Sequence, residues 1–129
     1  MNKKFKNEIV NTIIGEDTNI KGSIHAQRSI RIEGGLEGEV SSQGEVYVGE
    51  NSKIKANVFG SRVIIAGEVT GNIEATNGLE ILKTGKVYGD ITGDQLVVEE
   101  GAIYKGKVNM DVISTENPYE GKAEYKKEN

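Results

Sequence analysis

The eleven residues IGEDTNIKGSI, Ile14 to Ile24, return 34 places later as VGENSKIKANV, Val48 to Val58. Apolar falls on apolar, Gly15 on Gly49, Glu16 on Glu50, Asp17 on Asn51 and Thr18 on Ser52. Working outward, the offset is two steps of a shorter period. The pattern apolar–x–Gly–x–apolar recurs around Gly22, Gly38, Gly71, Gly89 and Gly106, with Ala56 in the place of glycine once, at spacings of 15 to 18. A second pattern, apolar–x–apolar, lies between: Ile30/Ile32, Val46/Val48, Val63/Ile65, Leu79/Ile81, Leu96/Val98 and then Met110/Val112. Two columns that keep one step are the signature of a repeat architecture.

Both patterns alternate with period two and favour β-branched residues, so each reads as a short strand with one buried face. Gly, Asn, Asp and Ser lie between them, as corners require. No stretch carries a helical stripe, and ~17 residues leave no room for a crossover helix. The solution is an all-β, single-domain parallel β-helix of about six coils with three faces, each strand pairing with its equivalent one coil away at ~4.8 Å. The expected boundaries are a flexible segment 1–11, a β-helix 12–114 and a disordered charged tail 115–129.

In the first motif the parity of Gly89 with Val87 and Ile91 places the glycine column toward the core, a packing role. The second place of that motif stacks Lys21, Glu37 and Lys55 into a ladder of alternating charge. The middle of the second motif stacks Arg31, Tyr47, Ile64, Glu80 and Val97. Tyr47 and Ile64 are therefore candidates for a lateral contact.

A rod of this kind has two open ends, each with unpaired strand edges over apolar side chains, and such edges template association. Solenoids that stay apart carry polar caps, and this chain offers little to build one. The expected end-to-end interface is Ile14, Ile20 and Ile24 at one tip and Tyr104, Val108, Met110 and Val112 at the other. Open-ended stacking makes filaments. The partner is the chain itself.

Composition narrows the function further. The 129 residues include no Cys and no Trp, which excludes a disulfide framework and a cysteine metal site. A net charge of −4 with mixed signs argues against nucleic acid. No membrane-spanning stretch and no signal-peptide core are present. Phosphate-binding glycine loops and the calcium-binding β-roll pattern are absent, so no cofactor is expected. The lone His25 reads as facing out. It leaves an alternative: a β-helical enzyme or carbohydrate-binding module, like the hexapeptide-repeat acyltransferases. That reading lacks a strict six-residue rhythm, and no column stacks three aromatic or acidic residues. At the N-terminus Met1, Lys3, Lys4, Phe5, Lys6 and Ile9 combine basic, aromatic and apolar residues, a composition that suits an anionic membrane surface.

The register of these coils, opened by TIIGEDTNIKGSI and flanked by short irregular tails, resembles the bactofilins over roughly residues 12–114. The resemblance implies a right-handed β-helix, which the period alone does not establish. It implies nucleotide-independent, end-to-end polymerisation in the bacterial cytoplasm, often on the inner face of the membrane. Such filaments scaffold envelope-synthesis or motility factors and influence cell shape. Met1, Lys3, Lys4, Phe5 and Lys6 loosely fit the family's membrane-targeting peptide. The single Pro118 departs from the longer Pro-rich tails of many members.

Overall fold

A computed structural model describes the backbone of residues 10–115 and 123–127, and the side chains of residues 12–109. Every regular element among them is a strand. In chain order these are β1 (Val10–Ile14), β2 (Asn19–Ala26), β3 (Ser29–Ile32), β4 (Gly35–Ser42), β5 (Glu45–Val48) and β6 (Lys53–Ile65). They continue as β7 (Glu68–Thr70), β8 (Ile73–Ile81), β9 (Lys86–Tyr88), β10 (Ile91–Val98), β11 (Ile103–Thr115) and β12 (Ala123–Lys127). Each pairs in parallel with its equivalent one coil away, as the repeat requires. The chain is a parallel β-helix.

Three faces enclose the core. Face A stacks Ile20, Leu36, Ile54, Val69, Val87 and Tyr104 inward. Face B stacks Ile24, Val40, Val58, Ile73, Ile91 and Val108. Face C stacks Ile14, Ile32, Val48, Ile65, Ile81 and Val98, with a second inner row from Ile30 to Leu96. From Leu36 to Tyr104 and from Val40 to Val108, no member of these rows is more than 2 % exposed. Aliphatic burial thus replaces the large aromatics that the composition lacks.

The register corrects one column. Leu96 pairs with Ile113 and Val98 with Thr115, whereas Met110 stands opposite Gly93 and Val112 opposite Gln95. The face C motif therefore continues at Ile113/Thr115, not Met110/Val112. Met110 ends a different row, the B–C corner, where Gly60, Ala75 and Gly93 precede it. Small residues belong there: a Cβ on Gly60 would press on the methyls of Val46 and Val63 at 3.0 and 3.2 Å.

The glycine column also differs from expectation. Gly38, Gly71, Gly89 and Gly106 have φ of 132° to 151° and lie at the A–B corner, exposed or half-buried, rather than facing the core. The bend lets Leu36 and Val40 both point inward while Gly38 turns out. A Cβ on Gly89 would overlap the carbonyl oxygen of Gly71, one coil below. Glycine is thus required by the close approach of two backbones, not by a narrow interior. Ala56 is the exception that explains itself. It lies in the part of β6 that alternates without a break, residues 53–60, is 6 % exposed, and has no positive φ.

Corners close their own polar groups. Asn57 Oδ1 accepts from the Asn72 N–H at 3.0 Å, Asn72 Oδ1 from the Asp90 N–H at 3.2 Å, and Asp90 Oδ1 from the Lys107 N–H at 3.3 Å. The side chains that follow Ala56, Gly71 and Gly89 thus each satisfy a backbone donor in the next coil. Ser52 Oγ donates to the Gly34 carbonyl and Thr84 Oγ1 to the Ala66 carbonyl, at 2.7 and 2.6 Å.

Candidate association surfaces

The two tips of the rod are unlike. At the N-terminal tip β2 pairs only with β4 among the described residues, and β1 only with β3, so each keeps one free edge. Ile14 is buried, but Ile20 and Ile24 are only partly so, and Ile13, in the outward column of face C in register with Arg31, stands 64 % exposed. This tip presents apolar side chains above unpaired N–H and C=O groups, the combination that recruits another strand.

At the other tip Tyr104 and Val108 have no exposed surface. The tail expected to be disordered contributes β12, which pairs Ala123 with Tyr104 and Lys127 with Val108 along the edge of β11 from face A round the corner to face B. The tip is therefore half covered by the chain's own backbone. Tyr104 donates its hydroxyl proton between the carbonyls of Gly89 and Lys107, at 2.9 and 2.7 Å, and burial pushes the phenol well above the ordinary tyrosine range. Val108 belongs to the core and not to an open surface. Beyond it the register runs Met110 to Thr115 against β10.

The outward columns follow the sequence reading, with changes in contact. Lys21, Glu37 and Lys55 stack in register, yet the ion pairs among the described residues are Arg31–Glu33 at 2.6 Å and Arg62–Glu80 at 3.7 Å. The guanidinium of Arg31 lies 4.6 Å from the ring centre of Tyr47, one coil away. Tyr47 and Ile64 are adjacent in register but half-buried, so the stripe they offer is narrower than the sequence suggests. Phe59, 39 % exposed on face B, is a larger apolar feature. Its signal was available: it occupies an outward place in the strand that begins at Lys53.

His25 is exposed on face B, in register with Ser41. No group of three metal-binding side chains occurs among the described residues, and no helix there is long and apolar enough to cross a membrane. Met1, Lys3, Lys4, Phe5, Lys6 and Ile9 lie outside the described residues.

Comparison with known proteins bears on these surfaces. The Bactofilin family profile, described as polymer-forming cytoskeletal, matches residues 12–109. The chain is 35% identical over 104 residues to Bactofilin BacO of Myxococcus xanthus (strain DK1622), covering 81% of this chain and 82% of that one. It is 32% identical over 100 residues to Bactofilin BacP of the same organism, covering 78% of this chain and 42% of BacP. No solved structure matches it with comparable significance. A β-helix with an open apolar tip, matched by this profile across nearly all its coils, belongs to the bactofilin family of polymer-forming cytoskeletal proteins.

Proposed function

We propose that this chain is the subunit of a filament that grows end to end without nucleotide, and that the filament serves as a cytoplasmic scaffold for envelope-synthesis, cell-shape or motility factors. The observation that carries the reading is the N-terminal tip, with the free edges of β1 and β2 above the partly exposed Ile20 and Ile24. A strand of about five residues spans ~17 Å. The tip therefore offers only a few hundred Å², below the ~800 Å² per partner of a standard interface. Backbone ladder bonds must complement the apolar contact, and they do so only if the next copy continues the coil. Because β12 occupies the edge of β11, growth at the opposite tip displaces that strand or uses it as a final rung.

The basic N-terminal segment, with Phe5 among Lys3, Lys4 and Lys6, holds the filament against anionic lipid. One tip contact is weak, but a filament repeats the segment along its length and gains by multivalency. Negative-stain microscopy of the purified chain tests the filament. Vesicle flotation with residues 1–8 deleted tests the membrane contact: filaments that still float with anionic vesicles exclude that segment as the anchor.

A further inference from the structure

The coils sort their charges by face. Outward places on face A carry Lys21, Lys53, Lys55, Lys86 and Lys105 against Glu37 and Glu68, a net +3. Outward places on face B carry Glu39, Glu74 and Asp90 against Lys107 alone, a net −2 with His25 neutral. A chain of net −4 thus keeps one basic side and one acidic side.

Face B also has relief. A groove of about 570 Å³ runs along it from His25 to Thr92, lined by Phe59 together with Glu39, Glu74 and Asp90, and Glu74 is in register with Phe59. Carboxylates around an exposed ring form a receptor for an ammonium group on an alkyl stem. The ring covers the stem and attracts the cation, and the carboxylates neutralise it. Face A presents such stems in rows. Both faces belong to the same coils and share the same axial repeat of ~4.8 Å, so lysine rows and carboxylate rows are commensurate. The two faces diverge from the glycine corner, so one rod cannot bring them together. A second copy can.

We propose that face A of one rod seats on face B of a neighbouring rod, with lysine side chains of the first entering the groove beside Phe59 of the second. The contact is heterologous and does not close on itself, so it spreads sideways into sheets or bundles. The inference rests on the filament reading, because a single exposed-charge contact is weak and only its repetition along a filament makes it stable.

Two charge-reversal pairs test it: Lys53→Glu with Lys55→Glu on face A, and Glu39→Lys with Glu74→Lys on face B. Each protein is polymerised alone, then examined by low-speed pelleting and negative stain as salt rises from about 0.01 M to about 1 M, which shortens the screening length from ~30 to ~3 Å. Wild-type filaments should bundle at low salt and separate at high salt. Each variant should remain as single filaments at every salt. A mixture of the two preformed variants should bundle again, since each now offers the charge that the other's faces lack. Variants that bundle like wild type, or a mixture that stays single, would overturn the proposal. So would loss of flotation with phosphatidylglycerol vesicles in the face A variant while wild-type filaments float but never bundle; that result assigns face A to lipid. Absence of wild-type filaments at any salt refutes the filament reading, and this contact with it. Single wild-type filaments that never bundle refute the lateral contact alone.

Discussion

Replacing Gly89 with Ala should destabilise the rod far more than the same change at Gly22, although both sit in one column. Both residues have positive φ, 145° and 135°. Forcing an L-residue into such a conformation costs about 1–3 kcal/mol. At Gly89 the added methyl also overlaps the Gly71 carbonyl, so a coil must shift, a further cost of about 1–3 kcal/mol by analogy with overpacking. At Gly22 nothing lies within 4 Å, since among the described residues no strand pairs with β2 on its other edge. Ala56→Gly, which restores the column's usual residue, should nevertheless destabilise by about 1–2 kcal/mol. It removes a buried methyl and frees the unfolded backbone. Urea titrations followed by circular dichroism, in an Ile20→Arg background that keeps the tips apart, give the three values. Equal losses at Gly22 and Gly89, or a stabilising Ala56→Gly, would refute the argument that backbone approach between coils fixes this column.

Three further outcomes follow from the same geometry. Tyr104→Phe removes a hydroxyl held between two carbonyls and should cost about 1–2 kcal/mol. Because the folded phenol titrates above the unfolded value of ~10, its stabilisation is complete below that pH and is lost as pH rises towards the folded value; urea midpoints measured from pH 8 upward should fall less steeply in the Phe variant. Ser52→Ala leaves the Gly34 carbonyl with only the longer, 3.4 Å bond from the Lys53 N–H and should cost about 0.5–1.5 kcal/mol in the same titration, whereas Asn77→Ala, on an exposed bond to Ser61, should cost less. Deleting residues 116–129 removes β12 from the edge of β11 and should lower the concentration at which polymer first pellets; an unchanged threshold means that β12 does not compete with the incoming subunit.

How much of this was legible in the sequence depends on the residue. The inward rows were, since Ile and Val at a fixed step leave a β-helix as the one way to bury them all. The outward columns were as well, because period-two alternation fixes which side chains stack. The glycine corner was misread because parity assumes a straight strand, and positive φ at Gly38 and its equivalents breaks parity there. The Asn57–Asn72–Asp90 ladder follows three successive corners in the sequence but needs knowledge of the corner to be recognised. The pairing of β12 was not legible: Ala-Glu-Tyr-Lys-Lys lacks the apolar step of the coils, and it is the free edge of β11 that gives it a place. The sorting of charge between faces A and B was scattered along the chain and emerges only once the coils are stacked.

The central claim is that the rod is unfinished at its N-terminal tip and is completed by another copy. Its most direct test is high-speed pelleting of wild type and Ile20→Arg over a range of protein concentrations, with circular dichroism as the control for folding. Ile20 is only partly buried, so the isolated rod can hold arginine there, whereas a covered tip must desolvate the charge at a cost of several kcal/mol. A loss of ~3 kcal/mol raises the polymerisation threshold about a hundredfold. The account predicts pelleting wild type and a soluble, fully folded variant at the same concentration. A folded variant that pellets at the wild-type threshold, or a wild type that remains monomeric throughout, would contradict it.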